Sequence, residues 1–144
     1  MSLYAVKPLH PRDTYSNSEN KSEHKIVEIV VTRSSFATLL MPIIATFSQY
    51  DVNQYNNRWL TWITDRVPCK EQLLANGVNV KALRLIYVNC NRDNRWLTWE
   101  ALAQGNSHTV ITELNQLTSG EIAAMEKAAI QGGAQGIIVR QNPS

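Results

Sequence analysis

The sequence predicts an α/β domain: a mostly parallel sheet covered by helices on both sides, hence three layers. Three observations predict it. From Lys25 onward, short β-branched runs alternate with segments of helical period. The run RWLTWIT is apolar on both faces, as expected of a strand with helices above and below it. The alternation reads strand–helix four times and closes on a fifth strand, a rhythm that favours right-handed crossovers between parallel strands.

Each element has a local reason. KIVEIVVTR, residues 25–33, is dense in β-branched residues and reads as the first strand. In SSFATLLMPIIATFSQY, Phe36, Leu39, Leu40, Ile43, Ile44 and Phe47 recur at three- and four-residue steps. Ser34 or Ser35 suits its cap, and Pro42 is expected to bend or divide that helix. RWLTWIT follows as a strand with Trp59, Thr61 and Ile63 on one face and Leu60 and Trp62 on the other. PCKEQLLANG reads as a short helix with proline in its first turn and glycine at its exit. ALRLIYV, residues 82–88, is the third strand.

The string RWLTW then returns at 95–99, followed by EALAQGN. Asp93 or Asn94 is placed to cap a helix, with Trp96, Trp99, Leu102 and Ala103 on its inner face. The two copies thus occupy a strand and a helix, and are not equivalent positions of a repeat. HTVITEL is the fourth strand. Thr118 caps the last helix, with Glu121 at the capping-box position. Gly132-Gly133 ends that helix, and residues 136–140 form the fifth strand.

Composition narrows the function. The chain has 144 residues, enough for one domain with a real core. Residues 1–24, rich in Ser, Asn, Pro and charge, read as a flexible arm before a single domain at 25–144. A net charge of +2 supports no claim about nucleic acid or membranes. No apolar run has the length of a membrane span or the pattern of a secretory leader, so a cytoplasmic protein is expected. Cys69 and Cys90 make neither a disulfide framework nor a zinc site.

Catalytic signals are thin. The position of a phosphate loop, after the first strand, holds Thr32-Arg33-Ser34-Ser35-Phe36, and neither GxxxxGK[ST] nor GxGxxG occurs. Glycines 132, 133 and 136 follow a helix and precede a strand, the reverse of the phosphate-loop order. His10 and His24 lie in the arm, and adjacent Ser107 and His108 lack an orienting third group. Glu121 reads as a cap and Glu126 as solvated helix surface. No metal-ligand spacing and no cofactor is implied. The strongest chemical feature is the basic, tryptophan-bearing interval from Arg58 to Arg95. It suits a protein interface or a single-stranded nucleic acid, while the plainer reading is tryptophans in the core and cations in water.

The segments LLMPII through RWLTWIT, KEQLLANGVNVKALRLI, ALAQGNSHTVI and EIAAMEKAAIQGGAQGIIVR, in that order and spacing, resemble the bacterial cell-division inhibitor SulA family. The resemblance covers about residues 30–140. It implies a RecA-like fold without the nucleotide-binding loop, no enzyme activity, and induction in the SOS response to DNA damage. The implied partner is the tubulin-like division protein FtsZ, whose polymerisation and septal-ring assembly would be blocked by occlusion. Carried over residue by residue, it marks Arg58, Trp62, Ile63, Lys81 and Gly105 as interface candidates. Arg66 and Lys70 join them as secondary candidates, since they flank strand ends and loops.

Arg58 suits bidentate contact with a carboxylate, and Trp62 suits support more than anchoring. The family can carry a tryptophan where this chain has Gln72. Relatives can also extend into a histidine-containing tail used by the Lon protease; this sequence ends at Asn142-Pro143-Ser144, so Lon would have to read another segment, such as 1–24. A homodimer through an edge strand is a further expectation. The competing reading is a non-catalytic RecA-like module that binds DNA or a DNA-repair protein. An enzyme with a site around Arg33 and His108 is a third.

Overall fold

The computed structural model describes residues 24–32, 34–50, 58–66, 68–89 and 94–142. The expected arm at 1–24 falls almost wholly outside them, as do Arg33, Cys90 and the Asp93 cap. In chain order the elements are β1 (Ile26–Thr32), α1 (Phe36–Ser48), β2 (Trp59–Thr64), α2 (Lys70–Ala75), β3 (Leu83–Tyr87), α3 (Asn94–Ala103), β4 (Ser107–Glu113), α4 (Ser119–Gly132) and β5 (Gln135–Asn142). A 3-10 turn, Val80–Ala82, leads into β3.

The five strands form one sheet in the order β1-β5-β4-β2-β3, and every pairing is parallel. Helices α1 and α2 cover one face, where Phe36, Leu40, Ile44 and Leu73 pack on Leu60, Trp62, Ile111 and Val139. Helices α3 and α4 cover the other, where Ala101, Leu102, Met125 and Ala129 pack on Ile63, Val110 and Ile138. This is the expected three-layer arrangement, and it is RecA-like. The alternation in β2 is as read: Leu60 and Trp62 enter one core, Ile63 the other.

The caps show how local sequence sets the ends. Thr118 Oγ1 accepts from the Glu121 N–H at 3.1 Å while Glu121 Oε1 accepts from the Thr118 N–H at 2.9 Å, the expected capping box. Gly133 ends α4 with φ 65°. Ser35 precedes α1, yet its side chain makes no cap bond. It turns back instead, with its hydroxyl 2.7 Å from that of Thr32. Pro42 does not divide α1, which runs unbroken through it.

Three further readings change. Helix α2 is six residues long, shorter than expected, and starts after Cys69, whose sulfur accepts from the Gln72 N–H at 3.3 Å. Helix α3 turns Thr98, Ala101 and Leu102 inward. Trp99 packs against the core as expected, but Trp96 is 62% exposed and stacks on Trp99 at 5.3 Å instead of entering it. Buried Thr98 Oγ1 donates to Thr112 Oγ1 of β4 at 3.0 Å, and with Thr98 against the sheet Trp96, about 200° round the helix from it, faces outward. Glu126 is not solvated surface: its carboxylate accepts from the Lys25 and Ile26 N–H groups at 2.9 and 3.1 Å, tying the start of β1 to α4.

Candidate interface at the amino ends of the strands

Because the strands are parallel, the sheet has one amino end and one carboxyl end, and residues distant in sequence gather at each. Arg58 immediately precedes β2, Lys81 lies in the turn before β3, and Gly105 lies just before β4. The neighbouring positions of β2, β3 and β4 therefore bring these three candidates to the same end of the sheet.

Arg58 closes the end of α4. Its Nη1 donates to the carbonyl oxygens of Gly132 and Gly133 at 3.2 and 2.8 Å. Those are orphan acceptors at the negative end of a helix dipole, where a guanidinium is favoured. Lys81 is exposed at its turn. Gly105 has φ 87°, a left-handed backbone that glycine adopts without strain. It lets the chain leave α3 and turn into Asn106, whose carbonyl accepts from the Trp59 N–H at 2.9 Å.

Beside them lies a residue that sequence reasoning left out of the site. Arg84 Nη2 reaches Ser107 Oγ at 3.2 Å and Asn106 Oδ1 at 3.4 Å, and Ser107 Oγ is 2.7 Å from Thr61 Oγ1 in the buried interior. Partial burial lowers the Arg84 pKa. The alternation of ALRLIYV marked Arg84 as the one charge in an apolar strand, a signal that could have singled it out.

His108 stands behind this end. It is buried, stacks on Tyr50 at 5.2 Å, and places Nδ1 2.8 Å from Thr109 Oγ1, which also accepts from Gln135 Nε2 at 3.1 Å. The Thr109 hydroxyl, with one hydrogen and two lone pairs, suits either imidazole tautomer at Nδ1. Burial first, and the nearby Arg58 charge second, depress its pKa to about 4. Ser107 and His108 are adjacent but have separate hydrogen-bond partners, so they do not form a nucleophile–base pair.

The other candidates lie elsewhere. Trp62 and Ile63 are 2% and 0% exposed and belong to the two cores. They hold β2 in place from within those cores and present no surface to a partner. Arg66 and Lys70 sit at the carboxyl end, away from Arg58; Arg66 lies over the Phe36 ring at 4.1 Å and beside Asp65 at 3.9 Å. Among the described residues, no group of three or more His, Cys, Asp or Glu is placed to hold a metal, and no helix is long and apolar enough to cross a membrane.

Comparison with known proteins agrees with this architecture. The chain is 32% identical over 104 residues to the cell division inhibitor SulA of Pseudomonas aeruginosa, a match spanning 72% of this chain and 62% of that relative. It thus spans less than two thirds of the relative's length. The crystal structure of SulA from Pseudomonas aeruginosa superposes with a TM-score of 0.69 at 29% identity, covering 82% of this chain and 98% of that one. No protein-family model matches the sequence. The fold, the matched segment and the solved relative agree: the chain is similar to SulA in sequence and in fold.

Proposed function

We propose that this protein is a cytoplasmic, non-catalytic inhibitor of cell division, made in the SOS response, that binds FtsZ and blocks its polymerisation and septal-ring assembly. The reading rests on the likeness to SulA over 72% of the chain. The observation that gives it a surface is the convergence of Arg58, Lys81 and Gly105 at the amino end of the sheet, from three separate connections. Two cations beside a tight glycine turn suit an acidic segment of a partner, with the guanidinium offering paired donors to a carboxylate.

Inhibition is by occlusion. A bound copy covers the FtsZ surface that would meet the next subunit, and GTP hydrolysis falls because its site is completed between subunits. Trp62 and Ile63 contribute by fixing the strand that carries Arg58. Arg66 and Lys70, at the opposite end, are secondary contacts only for a partner that wraps the domain. Turnover by Lon and formation of a homodimer belong to the same proposal.

The deciding experiment titrates the purified protein into GTP-driven FtsZ assembly, followed by light scattering. Stoichiometric suppression supports the proposal, and Lys81→Glu is expected to weaken it at unchanged thermal stability. Undisturbed assembly at molar excess, together with salt-dependent binding to single-stranded DNA, would favour the DNA-binding alternative instead.

A further inference from the structure

The opposite end of the sheet carries a second feature. Strands β2 and β4 are neighbours, yet β2 is followed by α2 on one face and β4 by α4 on the other. That reversal opens a crevice outside the carboxyl ends of the strands, the place where open parallel sheets hold ligands. A cavity of about 270 Å³ occupies it. Its polar lining comes from Asp65 and Arg66 after β2, Asn94 and Arg95 opening α3, and Glu113 and Asn115 at the end of β4.

One buried group of this lining is unsatisfied: Asn94 Oδ1 is buried without a hydrogen-bond donor. The indole of Trp62, a side chain only 2% exposed, reaches Glu113 from the core side and favours its ionised form. Glu113 is fixed from one side, where Thr64 Oγ1 donates to its Oε2 at 2.9 Å. Burial, the largest influence, raises its pKa.

The lining carries both signs of charge, Asp65 and Glu113 with Arg66 and Arg95; Arg66 lies 3.9 Å from Asp65, and Arg95 is 3.1 Å from Glu121. Such a lining opposes a polyphosphate, which would meet the two carboxyl groups. The volume is also below the roughly 300–1,000 Å³ typical of pockets for drug-sized ligands. A fitting molecule is small, bears one anionic and one cationic group, and supplies a donor to Asn94 Oδ1.

We propose that this cavity binds a small zwitterion of the amino-acid class, with its carboxylate at Arg66 and its ammonium at Glu113 and Asp65. The site is separate from the Arg58 surface and goes beyond the proposed inhibition of division. Occupancy would link the carboxyl ends of β2 and β4 to the amino end of α3 and give Asn94 Oδ1 a donor.

The test is a titration of the full-length, nitrogen-15-labelled protein with free glycine, L-serine, L-glutamine and L-lysine at millimolar concentrations, with inorganic phosphate and ATP run beside them. The Trp62 indole and Asn94 side-chain resonances are the reporters, assigned from Trp62→Phe and Asn94→Asp. Saturable shifts at either reporter with at least one amino acid are expected, weakened by about tenfold in Arg66→Ala or Glu113→Gln. Silence at both reporters with all four amino acids would overturn the proposal. So would a response confined to phosphate or ATP, or full affinity in both variants.

Discussion

Arg58 Nη1 lies 2.8 Å from the carbonyl oxygen of Gly133, seventy-five positions further along the chain. One side chain at the start of β2 therefore caps the last helix as well as standing at the proposed interface. Arg58→Glu reverses the charge at a helix C-terminus and removes bonds to its carbonyls. We expect a loss of about 1–2 kcal/mol of stability in urea denaturation, alongside loss of FtsZ inhibition. Arg58→Lys keeps the charge but loses the planar fork. A variant that kept full stability but lost inhibition would show that the cap carries little energy.

Gly132 and Gly105 separate two reasons for a glycine. A Cβ on Gly132 would come 1.9 Å from the Leu102 carbonyl oxygen, whereas one on Gly105 would meet nothing nearer than 3.9 Å. Gly132→Ala must push α3 and α4 apart and is expected to cost about 3 kcal/mol or more. Gly105→Ala meets only the strain of its positive φ, about 1–2 kcal/mol. Melting temperatures should rank the two in that order; the reverse ranking would contradict the helix contact described here.

His108 gives a pH dependence whose sign is fixed. Its folded pKa is about 4 against an ordinary 6.5, so the unfolded chain takes up the proton first. The stability tied to the neutral imidazole is complete above pH 6.5 and is lost as pH falls from there through 4. Glu113 acts in the opposite sense: its raised pKa makes its contribution largest at low pH and lost as pH rises through the folded value. Comparing His108→Gln with the parent isolates the histidine. The difference in unfolding free energy between them should change across that acidic window and be flat above it.

Thr118→Ala removes one half of the capping box: the Glu121 N–H loses its acceptor, while the Glu121 carboxylate keeps the backbone N–H at 118. A loss of about 1 kcal/mol is expected in chemical denaturation. Thr118→Ser should restore most of it, since the hydroxyl that accepts from the Glu121 N–H is retained.

The order and type of every element were legible in the sequence because their causes are local. A period of two in RWLTWIT, a three-to-four period from Phe36 to Phe47, and the box between Thr118 and Glu121 each act within a turn or a strand. The same locality explains the misplaced Trp96. The period of α3 admits more than one inward face, and the one adopted sets Thr98 against Thr112 of β4 with Ala101 and Leu102 in the core. Glu126 looked like solvated surface for a like reason: the backbone it binds is a hundred residues away.

By itself, then, the sequence determined an alternating α/β chain, the two buried faces of β2, and the two structural uses of RWLTW. Tertiary structure alone decided the strand order β1-β5-β4-β2-β3, and with it which connections share an end of the sheet. Arg58, Lys81 and Gly105 meet at one end, while Arg66 joins Glu113 at the other, because parallel pairing aligns segments whose sequences carry no record of their neighbours. Hydrophobic period fixes what a strand buries. Which strand lies beside it is settled by packing across the whole domain.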